Sequence, residues 1–329
     1  MIRSKIVGTG SFLPEKILTN FDLEKMVETT HQWIVERSGI IERRIAEPGT
    51  AASDLAAPAA LKAVEAAGMR PEDVELIIVG TSTPDMLFPS TACFVQSKIG
   101  AKKAAAFDLL AACSSFVFGL STADALISSG RYKNALVIGA EVYSSIVNWA
   151  DRTTCVLFGD GAGAVMLAAA DGPRANRGII STAMFSDGTH WSYLNAPGGG
   201  SANRFTPDLI SEKKYALTMK GSHTFKVAVK AMAEAALAAL EKGGVSAKDL
   251  KMVVPHQANL RIISAVAKQL GLDEKLFYVN LDKYGNTASA SIPIALDEAV
   301  RNGTLAKGDL VLLVTFGGGY TWGSALIEL

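Results

Sequence analysis

The chain is short of cysteine, carries no excess of either charge and has no long apolar run, and each shortage excludes a class of function. Cys93, Cys113 and Cys155 are the only three cysteines in 329 residues. An odd trio cannot form a disulfide framework and suits a reducing compartment. Lys plus Arg and Asp plus Glu both number 32, which argues against bulk nucleic-acid binding and leaves room only for a local basic patch. The most apolar stretch, around 161–170, falls far short of the ~20 residues of a membrane span. The opening MIRSKIVGTGSFLPEK is interrupted by Gly and Pro and does not read as a signal peptide. No Cys/His cluster has zinc spacing, so no metal is expected. A cytoplasmic protein with no nucleic-acid or membrane partner is the expectation.

What is present is apolar and alternating. Hydrophobic residues make up 49% of the sequence, enough for two core units at this length. Strand-like runs are Leu76–Val79, Ala105–Leu109, Ala135–Ile138, Val156–Phe158, Ala164–Leu167, Met252–Val254, Leu276–Val279, Leu310–Val314 and Ser324–Ile327. Between several of them lie Ala-rich stretches with helical spacing. Phe225, Val229, Met232, Ala236 and Leu240 recur at steps of three and four, one face of a helix. Such alternation implies an α/β fold with buried sheets.

The chain also repeats itself. ALKAVEAAGMRPEDVELIIV from Ala60 aligns without gaps to ALAALEKGGVSAKDLKMVVP from Ala236, a shift of 176 residues. Each reads as a helix, a Gly stop, an Asp and a buried strand. The later elements follow in matching order, so residues 1–172 and 173–329 are expected to be two similar halves, meeting near Asp171–Pro173. Loops at equivalent strand ends would then converge on one central site.

Three junctions carry chemistry-bearing residues. Cys113 ends the strand-like FDLLAAC and opens a helix-like run. The N–H groups of a helix N-terminus favour a thiolate there, with Ser114 and Ser115 at hand to satisfy some of them. A small buried cysteine is the alternative at this position; it is the preferred reading for Cys93, in a helix, and for Cys155, which is expected to start a strand. His256, in VVPHQAN, ends a buried strand at the corresponding place in the second half. Asn286, in YGNTASA, is surrounded by small residues and offers an uncharged N–H donor. His31, His190 and His223 read as surface residues. Gly159–Gly163 and Gly317–Gly319 match no nucleotide-binding pattern; their glycines suit close backbone approach and an N–H offered to a substrate oxygen.

Taken together, DLLAAC, VPHQANLRI, YGNTASAS and FGGGYTWGSAL resemble the β-ketoacyl-[acyl carrier protein] synthase III family, and the resemblance runs from GTGSFLPEKILTN to the C-terminus. It implies the thiolase-like layered αβαβα fold, usually as a homodimer. The implied reaction condenses a short acyl-coenzyme A with malonyl-acyl carrier protein to start fatty-acid synthesis, without metal or redox cofactor. It further implies Cys113 as acyl acceptor, His256 and Asn286 as donors to the malonyl thioester carbonyl, and the N–H groups of Cys113 and Gly318 as an oxyanion hole. Trp33, Arg152 and Asn259 correspond to coenzyme A contacts. Lys226, Arg261 and Lys268 correspond to a docking patch for the acidic carrier protein. Phe316 lies beside the reaction centre, and Phe88 would close the partner subunit's acyl pocket.

Two departures stand out. Ser114–Ser115 replace the usual Ala-Gly after the nucleophile, and the segment 186–203, with His190–Trp191 and a Gly-Gly-Gly run, has no detailed match. A condensing enzyme of polyketide or quinolone type shares the same three residues and is the nearest alternative. A degradative thiolase is disfavoured, because the late Gly-rich motif holds no second cysteine. A non-catalytic carrier-protein-binding subunit should have lost the nucleophile.

Overall fold

The computed structural model describes residues 3–170 and 178–329; the expected junction near Asp171–Pro173 lies outside them. Two sheets organise the chain. In the first, the strands run in the order Arg3–Phe12, Gly161–Ala170, Asn134–Glu141, Leu76–Gly80, Ala105–Leu109. The second runs Ile179–Ser186, Thr321–Glu328, Leu310–Gly317, Met252–Pro255. Both contain two antiparallel pairings followed by a parallel one, so the second sheet repeats four strands of the first.

Strand periodicity explains how each sheet separates two cores. Ile77 and Val79 pack on one side, among the apolar residues of helix Ala52–Ala66. Leu76 and Ile78 face the other side, against helices Ser115–Ser128 and Ser291–Arg301; successive side chains of a strand point to opposite faces. The same central cluster includes Val311, Leu313 and Ala325 of the second sheet. Helix Gly221–Gly243 covers that sheet's far side and packs on helix Leu260–Leu270. The result is the five-layered αβαβα arrangement expected from the sequence. Glycine permits the closest contacts: a Cβ on Gly163 would meet Ile294 N at 2.6 Å and Pro293 Cβ at 2.8 Å, so helix Ser291–Arg301 lies directly on the strand.

Two expected strands are not strands. Val156–Phe158, and with it Cys155, belongs to a run of turns, and Phe158 makes only an isolated bridge to Asn286. Glu274–Leu276 is a 3-10 turn, after which Phe277 alone bridges Val253. Both segments are apolar because Val156, Phe158 and Phe277 are buried in the core, and apolar runs this short do not distinguish strand from buried turn.

Candidate active site

Cys113 sits on the 3-10 turn Ala112–Ser114, directly before helix Ser115–Ser128. The turn is entered through Ala112 at φ 48°, a left-handed conformation uncommon for a residue with a side chain. Local bonds hold it there. The Ser115 hydroxyl accepts from Ala111 N–H (2.8 Å) and donates to Ala112 O (2.7 Å). Ser114 donates to Thr321 O (3.1 Å). Ser114 stands at the N-cap of the helix, but neither serine side chain accepts from a helix N–H as expected: Ser115 closes the turn and Ser114 ties it to Thr321. Thr315 Oγ1 donates to Cys113 O (3.1 Å). A Cβ on Gly317 would lie 2.7 Å from Cys113 N, which brings the adjoining Gly318 to the same cavity wall.

The second half supplies the facing residues. His256 follows strand Met252–Pro255, and its N–H donates to Val314 O (2.8 Å). Its Nδ1 lies 2.7 Å from Ser291 Oγ. That oxygen also accepts from Gln257 N–H (3.4 Å); with the serine hydroxyl donating to Nδ1, the imidazole proton sits on Nε2. Asn286 is fixed by its own N–H to Leu157 O (2.8 Å) and by Oδ1, which accepts from Ala288 N–H (2.9 Å). With the oxygen engaged, the NH₂ is the end left for a ligand.

Cys113, His256, Asn286, Phe316 and Gly318 all line one cavity of about 1040 Å³. Trp33, Phe225, Asn259 and the exposed Lys226 and Arg261 line its outer part, and Trp191 and Leu194 of the 186–203 segment also contribute to its wall. The electrostatics favour uncharged groups. Burial lowers His256 to about 4, so the ring is a neutral donor at physiological pH. Burial, reinforced by the charge of Glu141, pushes the Cys113 thiol up to about 12, against the downward pull of its backbone and Tyr143 hydrogen bonds. The resting group is therefore a protonated thiol, where the helix terminus alone suggested a thiolate; desolvation of the anion outweighs the local dipole.

At the mouth, Arg152 lies over the Trp33 ring at 5.3 Å and Arg37 at 5.9 Å. Asn259 caps helix Leu260–Leu270, accepting from Arg261 N–H (2.9 Å), and donates to Arg37 O (2.9 Å). Lys226, Arg261 and Lys268 are all exposed on two packed helices, with Arg261 over Phe225 at 5.7 Å. Phe88 is apart from the cavity: it is 83% exposed, beside Leu87 at 74%.

Sequence reasoning missed four residues here. Ser291 orients His256, Arg37 joins the Trp33 cluster, Tyr143 bonds the thiol, and Glu141 is fully buried at the end of its strand. Only Glu141 had a visible signal, as the one charged residue in the apolar run ALVIGAE.

Comparison with known proteins agrees with this geometry. Residues 107–188 match the family model 3-oxoacyl-[acyl-carrier-protein] synthase III, and residues 240–329 match the model of its C-terminal part. The β-ketoacyl-[acyl-carrier-protein] synthase III of Caldanaerobacter subterraneus subsp. tengcongensis is 51% identical over 99% of this chain and 98% of its own. The crystal structure of the 3-oxoacyl-[acyl-carrier-protein] synthase III from Aquifex aeolicus is 46% identical, with a TM-score of 0.92 over 99% of this chain and 100% of that one. A priming β-ketosynthase from a polyketide biosynthetic pathway is 34% identical, with a TM-score of 0.91 over 99% of this chain and 96% of its own. By its two-sheet architecture, its Cys–His–Asn cavity and its full-length likeness to these enzymes, the chain belongs to the β-ketoacyl-[acyl-carrier-protein] synthase III family.

Proposed function

We propose that the chain is the acyltransferase that initiates fatty-acid synthesis, condensing a short acyl-coenzyme A with malonyl-acyl carrier protein. The carrying observation is that Cys113, His256 and Asn286, from two separate parts of the chain, open onto one cavity. The Cys113 sulfur attacks the thioester carbonyl, the bond to coenzyme A breaks, and the thiol proton leaves with the departing sulfur. The N–H groups of Cys113 and Gly318 receive the transient oxyanion. Malonyl-acyl carrier protein then loses CO₂. The released electron pair forms an enolate, whose oxygen accepts from His256 Nε2 and Asn286 Nδ2. The enolate carbon attacks the acyl-Cys113 carbonyl, and the cysteine departs and regains a proton from solvent. No base is needed to form the carbanion, because decarboxylation generates it.

The remaining assignments belong to the same reading. Trp33 and Arg152 stack on the adenine of coenzyme A, with Asn259 beside the channel. Lys226, Arg261 and Lys268 present positive charge to the acidic carrier protein. Residues 1–172 and 173–329 are two similar halves, and the enzyme is a cytoplasmic homodimer. Supporting the dimer, the edge strand Ala105–Leu109 leaves Phe107 exposed, and Leu110 (75% exposed), Leu87 and Phe88 add further uncovered apolar surface. Such an edge invites pairing. Phe88 then forms the floor of the partner's acyl pocket.

Incubation with acetyl-coenzyme A followed by malonyl-acyl carrier protein tests the proposal. Intact-mass detection of acyl-Cys113 and release of β-ketoacyl-carrier protein are expected; failure of either step refutes it. A specialised polyketide-type starter role is the second reading. It is supported by the likeness to the priming β-ketosynthase and would appear as poor loading by acetyl and propionyl groups.

A further inference from the structure

Glu141 is a fully buried carboxylate that the condensation steps above do not use. Its Oε1 and Oε2 accept from Ser82 N–H at 3.1 and 3.0 Å, and Oε2 also accepts from Thr83 Oγ1 at 2.8 Å. Ser289 Oγ lies 2.7 Å from Oε1 and 2.9 Å from Gly80 O. Ser289 is three residues beyond Asn286, on the 3-10 turn Ala288–Ala290. Two residues before Glu141, a Cβ on Gly139 would collide with Ser289 O. One face of the strand is thus shaped to receive this turn, since residues two apart share a face. The contact reaches the amide of Asn286: its Oδ1 is held by Ala288 N–H (2.9 Å), and Ala288 stands at φ 46°, a conformation that neighbouring contacts must maintain.

We propose that Glu141 is a positioning residue for decarboxylation: through Ser289 it fixes the Ala288 turn that aims the Asn286 NH₂ into the cavity. The inference rests on the role given to Asn286 above. The chain of contacts is short and entirely buried, so an error in the turn passes directly to the donor; displacement by about 1 Å is enough to cost a large factor in rate.

The two half-reactions separate this role from a structural one. Ser289→Ala removes the hydroxyl at little steric cost, and Glu141→Met keeps length without an acceptor. Each is expected to slow malonyl decarboxylation about tenfold or more, a loss typical of a misplaced donor, while acyl loading of Cys113 falls by no more than about threefold. Glu141→Gln should restore decarboxylation: its amide oxygen still accepts from Ser82, and its NH₂ donates to Ser289, whose proton turns to Gly80 O. Asn286→Ala, measured alongside, tests the underlying reading; normal decarboxylation by that variant refutes the role of Asn286 itself. If Asn286→Ala is impaired but Ser289→Ala decarboxylates at the wild-type rate, the positioning role is wrong. It is equally overturned if loading and decarboxylation fall together, or if Glu141→Gln is as slow as Glu141→Met. Should Glu141→Met not fold, Ser289→Ala decides.

Discussion

Cys113 and Ser289 occupy the same place in two copies of one local structure. They are 176 residues apart, the shift that aligns the sequence repeat. Each is the middle residue of a 3-10 turn entered through a left-handed alanine, Ala112 at φ 48° and Ala288 at φ 46°. Each turn runs directly into a central helix, at Ser115 and Ser291. In one copy the residue is the proposed nucleophile; in the other its hydroxyl bonds Glu141 and Gly80 O.

The cysteines divide cleanly. Cys113→Ala should abolish acyl uptake, whereas Cys93→Ala should load normally. Cys155→Ala should also load but melt lower, because its side chain is fully buried in the core around the site. Intact mass after acetyl-coenzyme A treatment reads all three, and acylation of Cys113→Ala would reassign the nucleophile.

Burial first, and the charge of Glu141 second, hold the Cys113 thiol up. Replacing it by the isosteric amide in Glu141→Gln removes that charge, so the thiol should ionise more readily. Alkylation of Cys113 by iodoacetamide at pH 8 is therefore expected to be faster in Glu141→Gln than in the wild type. An unchanged or slower rate contradicts this coupling.

His256→Ala and Asn286→Ala should each reduce decarboxylation about 10²–10³-fold, the usual cost of one oriented donor, with acyl loading reduced less. A matched collapse of both steps would make His256 a base for Cys113 instead.

His256 also predicts a pH effect on stability. Its folded value of about 4 lies below the ordinary 6.5, so between these limits the unfolded chain binds the extra proton. The stability this group supplies is present above pH 6.5 and is lost as pH falls towards 4, to the extent of about 3 kcal/mol. Glu141, raised to about 7 by burial, acts in the opposite sense. Comparing urea unfolding of wild type and His256→Gln from pH 7 to 4 isolates the histidine; parallel curves would show that it is not buried as a neutral ring.

Arg261→Glu should weaken binding of an acidic carrier protein and make the residual binding less sensitive to salt, while loading from acyl-coenzyme A persists. Phe88→Thr, in turn, should shift preference towards medium-length acyl-coenzyme A without switching it absolutely, since one methylene commands only ~1–3 kcal/mol. A wild type that already prefers eight or more carbons would remove Phe88 from the pocket floor.

The legible parts of the sequence were those with strong periodicity or unusual residues at element junctions. The repeated helix–Gly–Asp–strand block accompanies the strand pairing pattern that the two sheets share, and Cys113 and His256 stand between a strand and a helix, whereas Asn286 follows the short helix Leu281–Tyr284. The strand at 276–279 was misread because Phe277 is apolar for core contact while only one bridge to Val253 forms. The thiolate expectation failed because a sequence shows the helix terminus but not the depth of burial or the nearby Glu141 charge. Ser291 was invisible as the partner of His256, since the two are joined only by folding.

The close contact of Gly317 and Thr315 with Cys113 has a consequence for synthesis. The residues that cradle the nucleophile are translated some 202 residues after it. On the proposed roles of Cys113 and Gly318, the ribosome carries through most of elongation a chain with the sulfur but without its oxyanion pocket, and acyl transfer is expected only once the final strands dock. Reactivity would thus be timed by the order of translation as well as by geometry, and a chain terminated before Thr315 is expected to take up no acyl group.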